Sequence, residues 1–150
     1  ACFLPHMSFA QDNKSENDRL RAIMARLTDH HWSLDLGGDW TVGTLLCHLA
    51  YWDRMTSVRI KKWMGDGTLT AVPDADNIEC INNSVRFLSR GVGRVEGIRT
   101  VQEAADEIDS IALSLSPDQL NFLEANGRDR WFRRSLHRQH HLARIEKALL

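Results

Sequence analysis

Residues 41–64 read TVGTLLCHLAYWDRMTSVRIKKWM, a run without proline in which apolar side chains recur every three or four positions. Leu45, Leu49, Trp52 and Met55 fall on one stripe of a helix with this spacing. Thr41 stands where an N-cap is needed, because its hydroxyl can accept a hydrogen bond from a backbone N–H of the first turn. The segment therefore predicts one long amphipathic helix from Thr41 to about Met64.

Further helices are predicted on both sides of this segment. Residues 17–27 carry amphipathic spacing, and residues 74–88 are predicted as a third helix. Thr100 with Glu103 forms a capping box that opens a helix to about Leu115. A short helix is expected to start at Ser116 and to stop at Gly127, and residues 129–150 are predicted as the closing helix.

The connection after Met64 is the longest in this arrangement. Gly65, Gly67 and Pro73 interrupt the chain over about ten residues, enough to cross the end of a helical bundle. No segment shows the alternation of a strand. The sequence thus predicts an all-α fold, a four-helix bundle with a long crossover connection.

Bulk composition limits the classes of protein to consider. The 150 residues are 43% hydrophobic and 26% charged, with a formal net charge of −1. A chain of this size and balance predicts a single domain, which we place at residues 11–150. Residues 1–10 are interpreted as an N-terminal extension, with His6-Met7 resembling a cloning junction.

The same numbers bear on partners and location. A near-neutral chain lacks the basic surface that nucleic-acid binding needs, so no nucleic-acid partner is expected. No apolar run reaches the roughly 20 residues of a membrane span, and no membrane partner is expected. Cys2, Cys47 and Cys80 are widely spaced and odd in number, which favours a reducing, cytoplasmic location.

Histidines on the closing helix indicate where chemistry would occur. His137 and His141 are four residues apart and share one side of a helix, so both imidazoles can face one ion. His140 is also near enough to His137, and spacing alone leaves both pairs open. A third ligand is expected from another helix, and His48, within the apolar stripe, is the best candidate. Core packing of these histidines is the competing interpretation.

Two segments resemble the DinB/YfiT-like superfamily of metalloenzymes. Residues 40–53, WTVGTLLCHLAYWD, are similar to the family segment in which a Trp-Ser/Thr opening precedes the first metal histidine. Residues 137–146, HRQHHLARIE, are similar to its closing helix, where two histidines four apart complete the triad. Ile81-Asn82 stands where relatives carry an apolar-Asn pair opening the third helix. The resemblance covers residues 17–150.

This resemblance implies a metal site of His48, His137 and His141. It also implies a four-helix bundle that forms a homodimer, and a divalent transition metal: zinc or nickel first, then iron or manganese. Characterised relatives include transferases and isomerases that use a low-molecular-weight thiol. We therefore expect a metal-dependent thiol transferase or hydrolase acting on a small-molecule electrophile. The alternative is a non-catalytic, stress-related helical dimer that binds a small molecule or a metal.

Neighbouring side chains have expected roles of their own. Asp53 and Glu146 are candidate acceptors for the free N–H of a ligand histidine, and the competing interpretation, which we prefer, is that both are solvated helix charges. His30-His31 are expected to close the first helix, and Cys47 to serve packing. One or two arginines of the closing helix could clamp an anion near the metal, the candidates being Arg130, Arg133, Arg134, Arg138 and Arg144. The competing interpretation, which we prefer, is a solvated basic face balanced by aspartates and glutamates of adjacent helices.

Overall fold

The computed structural model describes residues 7–150, and helices make up most of this part of the chain. The expected cloning extension up to His6 lies outside the described residues. In order, the elements are α1 (Met7–Arg26), α2 (Asp29–Trp32), β1 (Asp35–Gly37), β2 (Trp40–Thr41), α3 (Val42–Asp66), α4 (Ala75–Ser89), α5 (Arg94–Ser114), α6 (Pro117–Ala125), a 3-10 turn (Asp129–Trp131) and α7 (Ser135–Ala148). None of the described helices combines the length and apolarity needed to cross a membrane.

The long helices pack against one another around two apolar clusters. Helix α3 contacts α5 most extensively, α1 packs on α7 and α5, and α4 packs on α3. One cluster includes Leu20, Leu45 and Leu142, and the other includes Ile60 and Phe132. Burial of these side chains supplies the main favourable free energy of folding. The prediction of a predominantly helical protein is confirmed.

Helix α3 begins where its sequence predicted. The hydroxyl of Thr41 accepts a hydrogen bond from the backbone N–H of Thr44, whose own hydroxyl accepts one from the N–H of Thr41. The helix ends at Asp66, where Gly67 adopts the left-handed conformation with φ of 78°. Both signals are local, and both determine where this central helix starts and stops.

Helix α1 begins ten positions before the predicted residue 17. Its first turns bury two side chains against the chain before α7. Phe9 packs edge-on against Phe132 with 5.2 Å between ring centroids. The amide of Asn13 donates to the Phe132 carbonyl, and its oxygen accepts from the N–H groups of Arg134 and Ser135. Residues that lack amphipathic spacing are therefore held helical by tertiary contacts.

Two other predicted boundaries are wrong. Helix α5 starts at Arg94, so Thr100 lies inside the helix and does not cap it. The predicted closing helix from residue 129 is divided into the 3-10 turn and α7, which begins at Ser135. The short helix after Ser116 is confirmed, with the hydroxyl of Ser116 accepting from the N–H of Gln119.

A small antiparallel hairpin corrects the expectation that no strand is present. Strand β1 pairs with β2 across a turn in which Gly38 and Asp39 have φ of 62° and 64°. Two successive residues with positive φ are typical of the tight turns that join hairpin strands. The hairpin sets Trp40 beside His48, with 5.4 Å between ring centroids. Its role in the fold is thus to close one side of the histidine cluster.

Candidate metal centre

Three histidines from two helices meet in one cluster. His48 comes from α3, and His137 and His141 come from successive turns of α7. The ligand atoms of all three lie within 4.8 Å of one another. The Nε2 atoms of His48 and His137 are 3.1 Å apart. Two nitrogens bound to one zinc ion at about 2.0–2.1 Å would be roughly 3.3 Å apart in tetrahedral geometry, so this pair is already close to a ligating arrangement.

Burial keeps these imidazoles neutral. Desolvation is the largest cause and lowers the pKa of His48 to about 4, of His137 to about 2 and of His141 to about 3. The positive charge of Arg134 lowers the pKa of His48 and His137 further, whereas the side chain of Asn82 raises that of His48. A metal requires the unprotonated imidazole, and all three histidines are in that form at neutral pH.

The Nδ1 atoms of the three histidines are unpaired. Each is buried and has no hydrogen-bond partner within the described residues. Buried polar atoms usually have partners, because an unsatisfied donor or acceptor costs about 1–3 kcal/mol. These are not the nitrogens through which the cluster converges, since His48 and His137 approach each other through Nε2. The fit to a divalent transition metal rests on the donor set itself, three neutral imidazoles whose ligand atoms lie within 4.8 Å of one another.

His140 lies outside this cluster. Its side chain is exposed, and its ring contacts His141 from the solvent side with 5.0 Å between centroids. Spacing alone allowed His140 and His141 as partners of His137, whereas the structure brings His141 to His48. The choice depends on how α7 is rotated against α3, which the spacing along α7 does not determine.

The two candidate carboxylate partners of the histidines are engaged elsewhere, and both are paired with arginine instead of being solvated alone. Asp53 is buried and accepts hydrogen bonds from Arg134 at 2.9 Å and Arg138 at 3.3 Å. Glu146 accepts two hydrogen bonds from Arg19 of α1 at 2.8 and 2.9 Å. Buried Asp53 pairs with arginine because an ion pair compensates its desolvation better than a neutral imidazole does, whereas Glu146 forms its pair where both side chains are partly exposed.

The arginines of the closing segment divide into two groups. Arg138 is fully buried and binds both oxygens of Asp109 at 2.9 Å, which makes it a structural residue. Arg144 donates to the carbonyls of Leu36 and Gly37 and ties α7 to the hairpin. The other three, Arg130, Arg133 and Arg134, line a cavity beside the histidines.

This cavity, about 340 Å³ in volume, reaches His48 and His137. Arg59 of α3 also lines it, and we call it the arginine cavity after Arg59, Arg130, Arg133 and Arg134. Trp52 and Asn82 contribute a wall, with the indole N–H of Trp52 donating to the amide oxygen of Asn82 at 2.9 Å. Asn82 lies in the middle of α4 and not at its start. Sequence reasoning missed Arg59, since nothing in its neighbours distinguishes it from a solvated helix charge.

The remaining candidates lie away from the metal centre. Burial raises the pKa of the Cys47 thiol to about 11, which leaves it protonated and suits the expected packing role. His30 and His31 belong to the short helix α2 and do not close α1. The Nδ1 of His31 accepts a hydrogen bond from the N–H of Thr28, so this histidine completes a helix cap.

Comparisons with known proteins identify no relative. No family model matches the chain, and no similar protein was found among curated sequences or solved structures.

Proposed function

We propose that the protein is a metal-dependent enzyme whose metal is held by His48, His137 and His141. The observation that carries this proposal is the meeting of three neutral imidazoles from α3 and α7, with 3.1 Å between the Nε2 atoms of the first two. Three protein ligands are the pattern of a catalytic zinc site, whereas structural sites have four. Zinc and nickel are the first candidates, and iron or manganese would use the same nitrogens.

A metal bound by three histidines keeps an open position and lowers the pKa of the water or thiol that binds there. The reaction we propose is transfer of a low-molecular-weight thiol to a small electrophile. The thiol sulfur forms a bond to an electrophilic carbon, the leaving group departs with its electron pair, and the thiol proton passes to solvent. In a hydrolase, water would take the place of the thiol.

The protein itself contributes a fixed positive charge beside the histidines and an apolar wall that excludes water from them. Arg134 is held by Asp53 at 2.9 Å and places a fixed positive charge near His48 and His137. Trp40 packs edge-on against His48 and shields that imidazole from one side. Such fixed charges and apolar walls favour reaction of an anionic nucleophile in a partly dehydrated site.

The finer architecture belongs to the same proposal. We infer a four-helix bundle of α1, α3, α5 and α7, with residues 67–74 and α4 forming the crossover. Helix contacts support this, since α1 packs on α5 and α7, and α3 packs on α5 and α7. Resemblance to the DinB/YfiT-like superfamily supports a homodimer. The free thiols of Cys47 and Cys80 fit a cytoplasmic location.

Metal content tests the site directly. The purified protein is stripped with a chelator, reconstituted with zinc, nickel, iron or manganese, and analysed for metal. We expect one equivalent of metal in the wild type and its loss in His48→Ala and His141→Ala. His140→Ala is the matched control and should retain the metal, because His140 lies outside the cluster.

Circular dichroism establishes that each variant is folded before metal is measured. His48→Gln replaces His48→Ala if the smaller side chain unfolds the helix packing. A wild type that binds no metal after reconstitution would overturn the proposal, as would a folded His48 variant that keeps a full equivalent. Turnover is then measured as loss of thiol in the presence of a chlorinated or epoxide electrophile, with the His48 variant as the blank.

A further inference from the structure

The arginine cavity has an unusual charge balance. Four arginines line it, and no aspartate or glutamate is among its lining residues. Two of the four form ion pairs with carboxylates that do not line the cavity: Arg134 with Asp53 at 2.9 Å, and Arg133 with Glu124 at 3.7 Å. The cavity surface is therefore positive although the whole chain carries a formal charge of only −1.

Arg59 and Arg130 supply the uncompensated charge. Neither side chain has an ion pair or a hydrogen bond among the residues that the structure describes. Arg59 is half-buried in α3. Its pKa is lowered by burial and by the positive charge of Arg128, whereas Tyr51 raises it. An arginine remains protonated under these conditions, so its charge lacks a counterion.

The start of α7 adds to the positive potential. This helix has 14 residues, begins at Ser135, and its N-cap residue Arg134 makes no capping hydrogen bond with its own side chain. The side-chain oxygen of Asn13, from α1, accepts hydrogen bonds from the backbone N–H groups of Arg134 and Ser135. Leu136 and His137, in the first turn of this helix, both line the cavity. The N-terminus of a helix attracts anions through its unpaired N–H groups and its dipole.

We propose that the arginine cavity is a subsite for an anionic group, a carboxylate or a phosphate, bound by Arg59 and Arg130. Guanidinium groups match the geometry of both oxyanions and form charge-assisted hydrogen bonds with them. The subsite continues to His48 and His137. A small ligand can thus place its anionic end on the arginines and its reacting end at the histidines, and this second part rests on the proposed function.

The apolar part of the cavity constrains the rest of the ligand. Val72, Pro73, Ile78 and Trp131 line it together with the arginines. A short hydrocarbon or aromatic body between the anionic group and the reacting atom would contact these side chains. The volume of about 340 Å³ is at the small end of ligand sites, which favours a metabolite-sized molecule over a polymer.

Anion binding can be measured without the metal. Metal-free protein is titrated with inorganic phosphate and, in a parallel arm, with succinate, while tryptophan fluorescence is recorded, since Trp52 and Trp131 line the cavity. We expect saturable binding of at least one of these anions. The anion that binds more tightly shows whether the subsite prefers a phosphate or a carboxylate. Arg59→Gln and Arg130→Gln should each weaken it about tenfold, as expected when one charge-assisted hydrogen bond is lost.

Arg99→Gln is the matched control. Arg99 is exposed on α5, pairs with Glu96 and Glu103, and does not line the cavity, so this variant should bind as the wild type does. Absence of saturable binding in the wild type would overturn the subsite. So would Arg59→Gln and Arg130→Gln variants that bind as tightly as Arg99→Gln.

Metal analysis of the same variants separates the two proposals. Arg59→Gln and Arg130→Gln should keep one equivalent of zinc, because neither residue is in the histidine cluster. A wild type that binds zinc but no anion refutes the subsite alone. A wild type that binds the anion but no metal supports the subsite and refutes the metal-dependent function.

Discussion

Asp53 of α3 and Arg138 of α7 form an ion pair in the protein interior, where their side chains are 3% and 1% exposed. Arg138 Nη2 lies 3.3 Å from Asp53 Oδ2, and the other carboxylate oxygen accepts from Arg134 Nε at 2.9 Å. The same two helices carry the three histidines. The pair therefore sets the position of α7 on α3, and through it the distance between His48 and His137.

Asp53→Asn should destabilise the protein strongly. The variant removes the negative charge that Arg134 and Arg138 share in the protein interior. Loss of one partner in a buried ion pair lowers the free energy of unfolding by roughly 3 to 5 kcal/mol. Arg138 keeps Asp109, which places the expected loss near the lower end. Urea unfolding followed by circular dichroism gives the change in free energy of unfolding.

Glu146→Gln is the control for this ion pair. This variant breaks the ion pair with Arg19, in which the Arg19 side chain is 28% exposed and the Glu146 side chain is 39% exposed. Partly exposed ion pairs contribute less than about 1 kcal/mol to the free energy of unfolding. We also expect Asp53→Asn to weaken zinc binding and Glu146→Gln to leave it unchanged. Equal destabilisation by the two variants would contradict a positioning role for Asp53.

Zinc binding at pH 6.5 should release well under one proton, and that fraction comes from water bound to the metal. Ordinary histidines are about half protonated at that pH and must lose those protons to bind a metal. Burial lowers the pKa of His48 to about 4 and that of His141 to about 3, so the folded protein presents neutral imidazoles. Calorimetric titration in two buffers of different ionisation enthalpy measures the proton count. Release of more than one proton per zinc would refute neutral histidines in the metal-free state.

Stability of the metal-free protein should fall as the pH is lowered from 7.5 to 5.5. In the unfolded chain these histidines regain a pKa of about 6.5 and bind protons, whereas in the folded chain they do not. The free energy of unfolding therefore falls as the pH drops below about 6.5. Its slope approaches about 1.4 kcal/mol per pH unit for each histidine. Thermal midpoints across this range test it. His48→Gln should reduce the slope by one histidine's share, and an unchanged slope would contradict the assignment.

Local signals in the sequence predicted those parts of the fold that local contacts determine. The Thr41 cap needs only the backbone of its own first turn, and the Ser116 cap is of the same kind. The i, i+4 spacing of His137 and His141 places them on one side of α7 wherever that helix packs. These features could be found without knowing any tertiary contact.

Features that depend on tertiary contacts were missed. Thr100 satisfies a capping-box pattern, yet α5 extends back to Arg94 because packing on Gly97 favours helix there. Asp53 is neither a solvated helix charge nor a partner of a ligand histidine, and nothing along the chain reveals that Arg134 and Arg138 reach it. Sequence patterns describe which side chains share a face and leave open which partner that face meets.

Trp32 packs on two glycines, and this contact leads to the last prediction. An added Cβ at Gly43 of α3 would lie 2.4 Å from the indole, and one at Gly97 of α5 would lie 2.3 Å from it. The indole N–H donates to the carbonyl of Val92 at 2.9 Å, which holds the ring in place. Gly43→Ala and Gly97→Ala should therefore each destabilise the protein by at least about 1–3 kcal/mol, the usual cost of overpacking.

Gly65→Ala is the matched control for both variants. Gly65 also lies in α3, no atom is within 4 Å of its added Cβ, and its φ is not positive, so alanine should stabilise the helix by about 0.5–1 kcal/mol. Urea unfolding, followed by circular dichroism and by tryptophan fluorescence, compares the three. If Gly43→Ala were as stable as Gly65→Ala, Trp32 could move without cost, and the close packing of α3 and α5 through this ring would be refuted.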